Sequence, residues 1–102
     1  MIQVLATITL EDGKRPEYLK EFHKLIPQVR AEQGCIEYGP AIDFDSGLPF
    51  QGPIRENIVV IIEKWSDIEA LKTHLAAPHM KPYRDAVKPI VKGTAIQILE
   101  PA

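Results

Sequence analysis
The amino-acid sequence predicts an α+β fold: a ferredoxin-like split β-α-β with an antiparallel sheet and both helices on one face. Three observations carry this. Residues 2–10 and 93–99 alternate apolar and more polar side chains with the two-residue period of a half-buried strand. Residues 16–34 and 66–77 repeat their apolar positions at three- and four-residue spacing, as amphipathic helices do. The resulting order, strand, helix, strand, strand, helix, strand, is that of the split β-α-β.

In the first strand Ile2, Val4, Ala6, Ile8 and Leu10 alternate with Gln3, Thr7 and Thr9, and residues 11–14 (Glu-Asp-Gly-Lys) form a turn. Pro16 suits the first position of a helix. Tyr18, Leu19, Phe22, Leu25, Ile26 and Val29 make that helix's apolar stripe, and it ends near Gly34. Pro27 within the stripe predicts a kink or a break. Residues 35–44 read as a second strand interrupted at Gly39-Pro40, and residues 45–55 as a loop rich in Gly and Pro. Residues 57–65 form the third strand, in which Ile58, Val59, Val60, Ile61 and Ile62 are apolar on both faces. Ser66 and Glu69 have the spacing of a capping box. The helix they open runs to about Ala77, with Ile68, Leu71 and Leu75 as its core stripe. Pro78 interrupts it, a shorter helix covers residues 79–87, and residues 93–99 close the sheet.

Two helices on one face leave the other face of the sheet bare. Five consecutive aliphatic residues in a central strand would then expose a sizeable patch. A second copy of the chain covering that face, as a two-fold homodimer, is the expected solution.

At 102 residues the chain is expected to form one domain spanning residues 1–102. A net charge of −2 with scattered basic residues argues against nucleic acid and against an anionic membrane surface as partners. The single cysteine, Cys35, permits no intrachain disulfide and reads as a packing residue. The start of the chain lacks a basic, cleavable leader pattern, and no apolar run approaches the roughly 20 residues that span a bilayer. The expectation is a cytoplasmic protein acting on a small molecule.

The candidate chemistry is concentrated between Glu63 and Tyr83. Glu63 and Trp65 share a strand face with Ile61, while Lys64 points the other way. The indole is either core filling or a wall on which a flat substrate stacks. Glu63 is either a strand-end ion-pair partner or an acid–base or orienting group. His74 lies beside the buried stripe of its helix, as a core-edge histidine or a general base, for which an imidazole is apt. His79, five positions on, is turned about 140° from His74 on a helix, so the two are not a metal-binding i, i+4 pair. No further ligand cluster completes a metal site. His79 caps the short helix or reaches the same cavity. His23 reads as solvated, and Tyr38 and Tyr83 as core or as the wet end of a pocket. No Gly-rich nucleotide-binding motif is present.

These residues carry a family resemblance. The strand 2–10, the segment Glu32-Gln-Gly-Cys-Ile-Glu-Tyr38, the Glu63-x-Trp65 strand end and the segment from His74 through Pro78, His79 and Met80 to Tyr83 resemble the antibiotic biosynthesis monooxygenase superfamily. Within it the chain is most similar to small bacterial quinol monooxygenases. The resemblance implies a dimeric α/β barrel that oxygenates quinols or polycyclic phenols with O₂ and no metal, flavin or haem. It assigns His74 and Glu63 to catalysis, and Trp65, Tyr38, His79 and Tyr83 to substrate binding. One position departs from some polyketide-tailoring members, which carry an Asn four residues before the strand-end Trp; here it is Ile61. Two other functions remain open. One is an isomerase or tautomerase of a small hydroxy-ketone using the same base without oxygen. The other is a non-catalytic dimeric ligand-binding module, because a fold does not fix a reaction.

Overall fold
The pairing of the alternating β1 (Ile2–Leu10) with the largely apolar β3 (Ile58–Trp65) sets the frame of the computed structural model, which describes residues 1–102. The antiparallel register Val4↔Glu63, Ala6↔Ile61 and Ile8↔Val59 gathers these six side chains on one face, where all are buried. That face receives α1 (Arg15–Arg30), α2 (Ile68–Leu75) and α3 (Met80–Val87). With β2 (Cys35–Ala41) and β4 (Val91–Leu99), the strands form one sheet in the order β2-β3-β1-β4, antiparallel throughout. This is the ferredoxin-like α+β arrangement; the sheet is open and does not close into a barrel within one chain. No helix is long and apolar enough to cross a membrane.

Several local expectations are corrected. α1 runs unbroken through Pro27. Pro27 and His23, whose carbonyl it leaves free, are both exposed, so water can satisfy the lost backbone bond. β2 also continues through Gly39-Pro40 and ends at Ala41; its irregularity is a bulge between Cys35 and Glu37. It is an edge strand, where a missing N–H is tolerated.

The cap of α2 is Asp67 rather than Ser66: Asp67 Oδ1 accepts from the Ala70 N–H at 2.8 Å. Ser66 is committed elsewhere, its N–H donating to the Gly34 carbonyl at 2.8 Å. The buried stripe of α2 is therefore Leu71 and His74, while Ile68 and Leu75 are exposed.

β4 alternates in sequence but buries neither face. Ile96 and Ile98, on the helix side by their register with Ala6 and Val4, are 59% and 50% exposed. On the opposite face of the sheet Ile58, Val60 and Ile62 are half-buried beside the exposed Leu5.

Candidate active site
Strand alternation delivers Glu63 and Trp65 to the helix-covered face of β3, and the β2 register sets Tyr38 directly opposite Glu63. α2 lowers His74 onto the same end of the sheet, α3 contributes Tyr83 and α1 contributes Tyr18. Between them lies a cavity of about 490 Å³. Its polar end is formed by Tyr18, Tyr38, Glu63, His74 and Tyr83; the rest of its wall is mainly apolar, with Ala6, Ile8 and Ile61 on the sheet floor, and Arg84, Asp85, Lys88 and Thr94 add further polar groups. Leu75 and Ile96 lie at its exposed rim.

Glu63 and His74 are both buried, at 7% and 2% exposure, and carry ionisable groups into the core that are costly there unless partnered. Glu63 Oε1 accepts the Trp65 indole N–H at 2.9 Å and stands 4.0 Å from His74 Nε2. Burial raises the Glu63 pKa above the ordinary carboxylate value; the Trp65 hydrogen bond and nearby His74 oppose that shift, and the Glu32 charge adds to it. The far side of the imidazole meets Glu32. His74 Nδ1 is 3.0 Å from Glu32 Oε2 and 3.2 Å from Oε1, and His79 Nε2 is 2.7 Å from the same Oε2. Trp65, Glu63, His74, Glu32 and His79 thus form one chain of polar contacts, leading from the cavity wall to a partly exposed histidine.

The tyrosines form the other polar group. The Tyr18 and Tyr83 hydroxyls hydrogen-bond each other. Burial, the largest cause in each case, raises the pKa of Tyr18, Tyr38 and Tyr83, so they are protonated phenols in the working range. They can donate to a substrate oxygen but cannot act as its base.

Of the residues singled out from sequence, Tyr38, Glu63, His74 and Tyr83 meet on the cavity wall; Trp65 and His79 do not. Trp65 has no exposed surface and packs its ring 4.6 Å from that of His74, centroid to centroid. The indole therefore buttresses the imidazole instead of offering a face on which substrate could stack. His79 precedes α3 without capping it through its side chain, which turns to Glu32 and away from the cavity. Ile61 is an apolar part of the floor. Cys35 packs against the core, and burial raises its thiol pKa, with the Glu32 and Glu63 charges adding to the effect.

Sequence reasoning missed Glu32 and Tyr18. Tyr18 looked like one more apolar-stripe residue, and nothing along the chain tells a core ring from a cavity ring. Glu32 sits in the turn after α1, 42 residues from His74 and 47 from His79, a pairing that no helical or strand period encodes.

A family model for antibiotic biosynthesis monooxygenases matches residues 1–86. The chain belongs to the antibiotic biosynthesis monooxygenase family. It is 41% identical, over 99% of its length and 98% of the relative's, to the probable quinol monooxygenase YgiN of Escherichia coli (strain K12). Among solved structures, PA3566 from Pseudomonas aeruginosa matches with a TM-score of 0.82 at 24% identity, over 99% of this chain and 93% of that one. Rv0793 from Mycobacterium tuberculosis matches with a TM-score of 0.80 at 24% identity, over 99% and 94%. At that identity both likenesses speak for the fold alone. Family membership and the YgiN relationship support monooxygenase chemistry in general.

Proposed function
We propose that this family member oxygenates a quinol or related polycyclic phenol with O₂, using the substrate's own anion as the electron source. The observation that carries the reading is the buried Glu63–His74 pair in a mainly apolar cavity large enough for a fused aromatic ring system. His74 takes a phenolic proton at Nε2. The imidazolium that forms lies between the Glu63 and Glu32 carboxylates, which stabilise it. The electron-rich phenolate then passes electrons to O₂ within the cavity. Tyr38 and Tyr83 orient the substrate oxygens as hydrogen-bond donors, and Trp65 holds the imidazole from behind.

The reaction balances without an outside reductant. Quinol plus O₂ gives hydroxyquinone plus water: one oxygen atom enters a C–H bond, the other leaves as water, and all four electrons come from the substrate. The test is turnover of a reduced naphthoquinol under ¹⁸O₂. One labelled atom in the quinone product supports the reading. An unlabelled quinone with hydrogen peroxide would make the protein an oxidase, and conversion without O₂ uptake would favour the isomerase reading.

The second copy expected to cover the open sheet face belongs to this reading. The half-buried Ile58, Val60 and Ile62, with Leu5 beside them, are the apolar surface it would cover. Multi-angle light scattering is expected to give a dimer mass for the native chain and a monomer mass for Val60→Lys.

A further inference from the structure
We propose that Glu32 is a positioning residue that fixes His74 as the tautomer protonated on Nδ1, leaving the Nε2 lone pair for the cavity. An ionised carboxylate has no proton to give, so an imidazole nitrogen that faces it within hydrogen-bond distance must carry one. Both Glu32 oxygens lie within 3.2 Å of His74 Nδ1. A neutral imidazole has a single N–H, so the lone pair falls on Nε2, the nitrogen 4.0 Å from Glu63 Oε1. The opposite tautomer would set the Nδ1 lone pair against those of the carboxylate.

Glu32 is itself held. His79 Nε2 donates to Oε2 at 2.7 Å from the solvent side, where its side chain is 22% exposed. The turn carrying Glu32 is fastened to the start of α2 by the Ser66 N–H to Gly34 carbonyl bond. Glu32 does not line the cavity, so it acts through His74 and touches no substrate. Its consequence for turnover rests on the proposed role of His74 as base, but the tautomer does not.

The experiment is a long-range ¹H–¹⁵N correlation spectrum of the imidazoles in the ligand-free protein at mildly alkaline pH, followed by kinetics of Glu32→Gln with a reduced naphthoquinol. The His74 spectrum should show a pyrrole-type Nδ1 and a pyridine-type Nε2, read in the unmodified chain and so independent of how any variant folds. Glu32→Gln should lose that uniform pattern. It should also lower kcat toward the full acid–base contribution, about 10²–10⁴-fold, with KM little changed. A proton on His74 Nε2 in the native spectrum, or Glu32→Gln with the native nitrogen pattern and native kcat, would overturn the proposal. The expected nitrogen pattern without turnover of any quinol would leave the positioning role standing and remove the quinol reading.

Discussion

The Trp65 indole N–H donates to Glu63 Oε1 at 2.9 Å, from a residue two positions along the same strand face. An indole with no exposed surface thereby fixes a carboxylate that is itself buried, and its ring packs on His74. One aromatic side chain thus orients both ionisable groups of the cavity's polar end. Burial raises the pKa of that carboxyl.

Glu63→Gln should therefore stabilise the protein near neutral pH while impairing turnover. A carboxyl whose folded-state pKa lies above its ordinary 4.5 favours the fold when protonated; that contribution is present below 4.5 and is lost as pH rises through the folded value. Gln mimics the protonated acid and keeps an acceptor for the Trp65 indole. Its Tm advantage over the native chain should be largest near neutrality and should shrink on acidification, as thermal melts across that range would record. An advantage that grew as pH fell would contradict the assignment.

His74→Ala should cut turnover by about 10²–10⁴-fold, the usual contribution of a positioned acid–base group. Far-ultraviolet circular dichroism of the variant should remain that of the native fold. Steady-state kinetics showing full activity would remove His74 as the base.

Gly34→Ala should destabilise the chain by about 1–3 kcal/mol. Gly34 has φ +85°, and a Cβ there would stand 2.6 Å from both Ala70 Cβ and Ser66 Oγ, at the start of the helix that carries His74. Denaturant unfolding measures the loss. Activity should fall as well, because Glu32 and His74 flank the disturbed junction.

The long β2–β3 connection is closed by a two-pronged ion pair. Arg55 Nε donates to Asp43 Oδ2 at 2.9 Å and Nη2 to Oδ1 at 2.8 Å. The Arg55 hydrogen bonds hold the Asp43 pKa at about 2, below its ordinary 3.8. Its stabilising contribution is present above 3.8 and fades as pH falls through about 2. Asp43→Asn should speed amide hydrogen exchange across residues 44–54 at neutral pH and leave exchange in β1 unchanged. Equal exchange in the two proteins would show that the pair does not hold the loop.

The fold was legible because β1 and α1 bury the faces their periodicities mark, and the apolar run of β3 marks a central strand. Glu63 and His74 were legible as site candidates because each sets an ionisable group on or beside the apolar face of its element, β3 and α2. What failed was what periodicity cannot encode. Glu32 reaches His74 across 42 residues through a turn with no repeat of its own. Trp65 and a substrate-stacking indole look alike in sequence; only the packing of α2 over β3 puts the ring behind His74. β4 carries the alternation of a half-buried strand, yet no element of its own chain covers Ile96 and Ile98. Ser66 matched a capping box, but the Gly34 turn claimed its backbone N–H and moved the cap to Asp67.

Base-assisted reaction of a phenolic substrate with O₂ consumes that gas, so O₂ uptake is the decisive measurement. The metal-stripped full chain would be given a chemically reduced naphthoquinol under conditions of low autoxidation. Uptake should run well above the protein-free rate, be lost in His74→Ala and be matched by formation of hydroxyquinone. Uptake no faster than the protein-free rate across several quinols that nonetheless bind in the cavity would contradict it.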